Sequence, residues 1–188
     1  MNSMVNMAGA TILALAGTAA QATDFSALMG VVHATWPEKT HIGVIADYQR
    51  SRLEIEDLAR SAGAGSRITV LDVKRASVLD SAGNQFCRKA KPDYLVLLAE
   101  DPRVREGSPF ATQVIRQMAY HGVPTLGTTP TAVRQGAVFA AGPATNLELL
   151  VTERMIGTIE VILPQNVRRA SAGVQDRGMA EVSVVGAF

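Results

Sequence analysis

The chain has 188 residues, of which 47% are hydrophobic and 19% charged. This length and composition suit one soluble globular domain with a sizeable core. A formal net charge of +1 gives no broad attraction to nucleic acid or to an anionic membrane, so we expect no nucleic-acid partner. The single cysteine, Cys87, cannot form an internal disulfide, and its helical context predicts a small core residue before a reactive thiol.

The first 22 residues contain no charged side chain, and their apolar run ends in Ala20-Gln21-Ala22. An apolar stretch of this length before a small-x-small sequence is typical of a secretory signal peptide. We therefore expect residues 1–22 to be a signal peptide and the mature chain to act outside the cytoplasm. The alternative is an N-terminal helix that stays attached.

From residue 25 onward, amphipathic helical stretches alternate with short apolar runs, the pattern of a parallel α/β sheet. Helices are predicted at residues 25–36, 51–62, 77–90, 108–121, 130–135 and 146–163. Strands are predicted at residues 41–46, 68–73, 94–98, 123–126 and 138–141. The sequence thus predicts one α/β domain over residues 23–165.

Two serines mark expected helix starts. Ser51 and Glu54 have capping-box spacing, and the helix that follows is expected to bury Leu53, Leu58, Ala59 and Ala62. Ser108 supplies a capping hydroxyl directly before Pro109, which suits the first helical position.

The composition changes after residue 165 to arginine, serine, glycine and glutamine without helical periodicity. Residues 166–188 are therefore predicted to be an irregular tail. Residues 182–185 could return to the sheet as an edge strand, or the tail could be an arm for a partner.

Four segments resemble the C-terminal lobe of the ABC-transporter substrate-binding family, which has a periplasmic-binding-protein type I fold. They are His41-Ile42-Gly43-Val44-Ile45-Ala46, Lys91-Pro92-Asp93-Tyr94-Leu95-Val96, Gly122-Val123-Pro124-Thr125-Leu126-Gly127, and the run from Arg134 to Pro143. The resemblance implies a three-layer sandwich with a five-stranded, mostly parallel Rossmann-like sheet of order 2-1-3-4-5. It also implies a periplasmic location and small-molecule binding without catalysis. The chain has room for only one of the family's two lobes.

In a parallel α/β sheet, ligands bind where the strands end, at the carboxyl edge. The candidate ligand-binding residues therefore follow the first, third and fourth strands: Asp47, Tyr48, Ser51, Glu100, Asp101, Thr128, Thr129 and Thr131. Three acids on this rim favour a cationic or hydrogen-bond-rich ligand over a phosphate. The alternative is that the serines are plain caps and that Asp101 and the threonines form turns.

No nucleophile elbow, phosphate-loop or dinucleotide fingerprint follows the first strand, so we expect no enzyme activity and no cofactor. Glu100 and Asp101 are adjacent and should point apart, and no histidine near them in sequence completes a metal-binding set. We therefore predict no catalytic residue and no metal site.

Several residues are candidates for contact with a protein partner, either a second copy of this chain or a larger complex. They are Met29 and Trp36 in the first helix, Arg103 and Arg105 in a charged loop, and Arg168 and Arg169 in the tail. The predicted function is a non-catalytic single-lobe module that docks as an accessory subunit onto a periplasmic or membrane-associated complex. The alternative is the solute-binding component of an ABC-type uptake system, which would bind its solute at the carboxyl edge. One form of this alternative is a homodimer.

Overall fold

The structure is a computed structural model and describes residues 25–141, 149–151 and 178–186. Seven strands in this part of the chain form one sheet. They are β1 His41–Ala46, β2 Arg67–Asp72, β3 Tyr94–Val96, β4 Thr125–Gly127, β5 Phe139–Ala141, β6 Leu149–Val151 and β7 Glu181–Gly186. The first five correspond to the five predicted strands.

The strand order is β6-β5-β4-β3-β1-β2-β7, with six strands parallel and β6 antiparallel to β5. The prediction of a five-stranded sheet with order 2-1-3-4-5 is therefore wrong in its count, and its order is only the inner part of the real one. The sheet gains one strand at each end, because an edge strand has backbone groups free to pair with another segment.

β6 is also a correction to the predicted helix at residues 146–163. Leu149, Leu150 and Val151 pair with the three residues of β5. Ladder pairing with β5 outweighs the helical periodicity of a segment whose apolar residues suit either structure. The rest of that predicted helix lies outside the described residues.

β7 contains residues 182–185 of the tail and pairs in parallel with β2 along its whole length, from Arg67 opposite Glu181 to Asp72 opposite Gly186. The C-terminal tail thus supplies a strand to the same sheet as residues 41–141.

Helices cover both faces of the sheet, which confirms the three-layer α/β architecture. They are α1 Ser26–Thr35, α2 Arg52–Ala62, α3 Leu79–Lys89, α4 Pro109–Tyr120 and α5 Pro130–Gln135, and a 3₁₀ turn, Ala76–Val78, precedes α3. One core lies between the sheet and α1 with α2, and a second lies between the sheet and α3, α4 and α5. Successive strand residues alternate between these cores: Ile42 and Val44 enter the first, and Ile45 enters the second.

Helix α1 is not the exposed docking element that the sequence suggested. Met29 is 1% exposed and Trp36 is 4% exposed. The Trp36 ring packs 5.5 Å from Phe139 and 6.3 Å from Tyr94, measured between ring centroids. The prediction that Met29 and Trp36 bind a partner is therefore wrong, because the β3–β5 side of the sheet needs a cover and α1 supplies it.

In α2 the expected burial of Leu53 is also wrong, since this side chain is 76% exposed. The other three predicted positions, Leu58, Ala59 and Ala62, are buried as expected, and α2 also buries Glu54 and Ile55. Leu53 therefore lies off the buried stripe of α2.

Cys87 is buried and its Sγ lies 3.4 Å from the Met118 sulfur, as expected for a core residue. Burial raises the pKa of its thiol to about 11, so the reactive thiolate is scarce at neutral pH. Among the helices of the described part of the chain, none combines the length and apolar character needed to cross a bilayer.

Candidate functional site

The buried carboxylate of Asp101 ties the loop after β1 to the loop after β3. Asp101 Oδ2 accepts hydrogen bonds from the backbone nitrogen of Asp47 at 2.8 Å and from Ser51 Oγ at 2.5 Å. Asp101 Oδ1 accepts from the backbone nitrogens of Arg103 at 2.8 Å and Val104 at 2.6 Å. Asp101 is 0% exposed, so its carboxylate connects the two loops from inside the protein and is out of reach of a solute.

A second carboxylate, that of Glu106, joins the same long loop to the end of β4. Its Oε1 accepts from the Thr128 backbone nitrogen at 2.6 Å and from the Thr128 hydroxyl at 3.0 Å. Its Oε2 accepts from the Thr129 backbone nitrogen at 3.0 Å and from the Thr129 hydroxyl. Burial raises the pKa of Glu106, and these hydrogen bonds partly oppose the rise by stabilising the carboxylate.

A third carboxylate, that of Glu54, connects helix α2 to the loop after β3. Its Oε1 accepts from the Ala99 backbone nitrogen at 2.7 Å, and its Oε2 from that of Glu100 at 3.3 Å. The predicted capping box of Ser51 and Glu54 is therefore wrong in its bonding. Ser51 does occupy the N-cap position, but its hydroxyl makes no cap hydrogen bond and donates to Asp101. By contrast, Ser108 caps α4 as predicted, accepting from the Ala111 nitrogen at 3.1 Å with Pro109 at the first helical position.

The charges beside β1 and β2 form a network around Lys74. Its Nζ lies 2.9 Å from Asp47 Oδ1 and 3.1 Å from Asp72 Oδ1. The hydrogen bond from Lys74 lowers the pKa of Asp47 despite the opposing effect of burial, and the same bond raises the pKa of Lys74. Asp72 Oδ1 also accepts from the Tyr48 backbone nitrogen at 3.0 Å, so the first and second strand ends are joined too.

The structure brings the predicted ligand-binding residues together in two groups at the carboxyl edge. Asp47, Ser51 and Asp101 are buried in one, and Thr128 and Thr129 meet at Glu106 in the other. Four predicted residues keep accessible surface: Tyr48, Thr129 and Thr131 are partly exposed, and Glu100 is exposed. Glu100 and Asp101 therefore differ sharply in environment.

Of the predicted partner-binding arginines, Arg105 is exposed and Arg103 is half-buried, with no acceptor for its Nε among the described residues. Arg168 and Arg169 lie outside the described residues. So do residues 1–22, for which a signal peptide is expected.

Sequence reasoning missed the fastening roles of Glu54 and Glu106. The spacing between Ser51 and Glu54 is a sequence pattern that involves Glu54, but this pattern predicts a helix cap. No sequence pattern around Glu106 predicts its role, since a glutamate in a charged loop is ordinarily solvated. Both roles depend on residues 22 to 46 positions away in sequence.

The resulting edge is polar, and its accessible rim carries both signs of charge, since Glu100 is exposed and so are Arg50, Lys74 and Arg105. The carboxylates of Asp101, Glu106 and Glu54 accept hydrogen bonds from backbone nitrogens and hydroxyls at this edge. Across the described ranges, no group of three His, Cys, Asp or Glu side chains is placed to hold a metal ion. The arrangement can present Tyr48 and Glu100 from loops and Thr131 from the first turn of α5.

Comparison with solved structures supports a periplasmic-binding-like fold. A conserved domain protein from Vibrio cholerae O1 biovar El Tor str. N16961 is similar with a TM-score of 0.61 and 13% identity, covering 86% of this chain and 60% of that one. An ABC domain from Streptococcus pneumonia in complex with L-Trp is similar with a TM-score of 0.63 and 12% identity, covering 87% of this chain and 62% of that one. This chain spans about three-fifths of the length of these two proteins. No family model and no curated protein sequence matches it.

Proposed function

We propose that this chain is a non-catalytic, exported solute-binding lobe whose ligand-facing surface is the carboxyl edge of the sheet. The observation that carries this proposal is the fastening of three edge loops by Asp101, Glu106 and Glu54. Binding sites gain affinity when their contact groups are held in place before the ligand arrives, because less conformational entropy is lost on binding. An edge without this role could have ordinary solvated loops.

The accessible groups favour a small solute that carries an amino group, such as a free amino acid. Glu100 offers an exposed carboxylate, and the hydroxyls of Tyr48 and Thr131 add hydrogen-bonding capacity. Asp47 is already neutralised by Lys74, so Glu100 is the acid best placed to meet an ammonium group. The L-Trp bound to the ABC domain described above agrees with this ligand class.

Enclosure of the solute requires a second body. Ligand pockets usually bury most of a small molecule's surface, and one edge exposed to solvent cannot do so. We infer that a second lobe closes over the edge. The isolated chain should therefore bind its solute weakly, with a Kd on the order of 1 mM.

The test is a calorimetric titration of the chain with free amino acids, preceded by a thermal-shift screen. Glu100→Gln should weaken binding of the best amino acid about 5-fold. Glu38→Gln is the matched control, since Glu38 is an exposed glutamate preceding β1 at the opposite edge of the sheet. Absence of any saturable binding at millimolar concentration, or equal loss in both variants, would contradict the proposal.

The accessory-subunit role is the second candidate. It is favoured by the exposed apolar side chains of Leu53 on α2 and Tyr120 on α4, which are 76% and 87% exposed. Capture of a stoichiometric partner by the tagged chain, abolished by Leu53→Gln or Tyr120→Gln, would support this role. A chain that stays monomeric and captures no partner would contradict it.

A further inference from the structure

A groove of about 440 Å³ lies on the α3 face of the sheet, between helix α3 and the strands β2 and β7, and its lining includes no residue of the loops that follow β1, β3 and β4. This volume is within the range of small-molecule sites in proteins. Its lining includes Arg67, Leu71, Ala82, Lys89, Ser183 and Val185.

The groove exists because the sheet extends beyond the helix that covers it. Helix α3 packs Phe86 against β1, where a methyl group added to Gly43 would lie only 3.0 Å from the Phe86 ring. β7 continues the sheet past β2, and its residues Ser183 and Val185 on the α3 side stay exposed. The wall is therefore α3 and the floor is β2 with β7.

The two ends of the groove differ in chemistry. α3 follows β2 after a short turn and runs back along the sheet, so its last residues lie near the start of the strands. Arg67 and Lys89 thus mark a basic end, and no described carboxylate forms an ion pair with either cation. The other end is apolar and is formed by Leu71, Ala82 and Val185.

A chain of hydrogen bonds holds Arg67 in place. Its guanidinium lies 2.9 Å from His41 Nδ1, and since arginine only donates, Nδ1 must accept. The imidazole proton is then on Nε2, which lies 2.8 Å from Thr69 Oγ1, and Ser183 Oγ lies 3.2 Å from the same oxygen. The guanidinium therefore has a fixed position at the basic end, and its other N–H groups stay uncommitted to any described residue.

We propose that this groove binds a small amphiphilic carboxylate, with its head group at Arg67 and Lys89 and its alkyl chain over Leu71, Ala82 and Val185. Arginine recognises carboxylates through paired N–H donors, and Lys89 adds a second positive charge. Burial of the alkyl chain against three apolar side chains supplies the remaining affinity. The groove shares no lining residue with the candidate solute-binding site at the edge loops. Its test is therefore independent of the test of the solute-binding function proposed above.

One opposing charge near the basic end is that of Glu181, which is exposed and lies opposite Arg67 in the β2–β7 register. Its carboxylate competes with an incoming anion for the same guanidinium. Glu181→Gln should therefore tighten binding of a carboxylate about 2- to 5-fold.

Isothermal titration of the full chain with octanoate tests the proposal. Saturable binding is expected, weakened about 5- to 10-fold by Arg67→Gln and by Lys89→Gln. Arg88→Gln is the matched control, because Arg88 is an exposed cation beside Lys89 on α3 that does not line the groove. Octylamine and octanol should bind more weakly than octanoate.

The apolar end has its own pair of variants. Val185→Phe should block octanoate binding by filling the groove, whereas Val184→Phe, on the other face of the same strand, should not. The proposal is overturned if octanoate does not saturate, if Arg88→Gln weakens binding as much as Lys89→Gln, or if octylamine binds equally well. Circular dichroism of each variant separates loss of binding from loss of folding.

Discussion

Asp101 Oδ2 lies 2.8 Å from the backbone nitrogen of Asp47, a residue 54 positions earlier in the chain. The same oxygen accepts from Ser51, which stands at the N-cap of α2. One buried carboxylate thus sets the positions of two loops and a helix start at the carboxyl edge.

We predict that Asp101→Ala lowers the free energy of unfolding by about 3 kcal/mol, because it leaves several buried donors without an acceptor. Ser51→Ala removes only one of these bonds and should cost about 1 kcal/mol. Urea denaturation measures both values. Equal costs for the two variants would show that Asp101 does not hold the edge together.

Glu106→Gln should speed hydrogen exchange at the amides of Thr128 and Thr129. The amide group of glutamine has only one oxygen, so its nitrogen faces a backbone donor where a carboxylate oxygen stood. Exchange measured by NMR should rise about tenfold or more at these two positions. Glu100→Gln is the control, since the side chain of Glu100 is exposed, and unchanged exchange in both variants would contradict the prediction.

Lys74→Met should raise the pKa of Asp47, because burial would then act without the opposing hydrogen bond. In the unmodified protein the pKa of Asp47 is lowered by folding. Its ionised form therefore stabilises the fold above the ordinary carboxyl pKa, and this stabilisation is lost as pH falls through the lowered value. In Lys74→Met the loss should begin at higher pH.

Carboxyl NMR titration and acid unfolding curves test this expectation about Asp47. Arg75→Met serves as the control, since Arg75 is an exposed neighbour in sequence that does not touch Asp47 within ion-pair distance. An Asp47 pKa that is unaltered in Lys74→Met would show that the lysine does not control it.

Two leucines of α2 should respond very differently to truncation. Leu58 is fully buried and Leu53 is 76% exposed. Leu58→Ala should lower the free energy of unfolding by about 2–5 kcal/mol through lost burial and a cavity, whereas Leu53→Ala should change it by less than about 0.5 kcal/mol. Thermal or urea unfolding compares them, and a similar cost at both positions would be inconsistent with the observed orientation of α2.

The location of the candidate site at the carboxyl edge follows from the fold class. The hydrogen-bond partners of its residues could not be predicted from the sequence. Ser51, Glu54 and Asp101 follow local patterns that suggest caps and turns. Their actual partners are distant in sequence, and only the convergence of the ends of β1 and β3 brings them within hydrogen-bond distance. The same holds for Met29 and Trp36, whose burial depends on where α1 packs on the sheet.

The sequence by itself determined the alternation of helices and strands, the burial of β1 on both faces and the start of α4 at Ser108 and Pro109, because short-range periodicity and capping chemistry encode them. Only the tertiary structure decided the strand β6, the pairing of β7 with β2, the carboxylates that connect the edge loops and the groove beside α3. These features arise from groups far apart along the chain. The contacts between such groups form only when the chain folds, and no local sequence pattern specifies them.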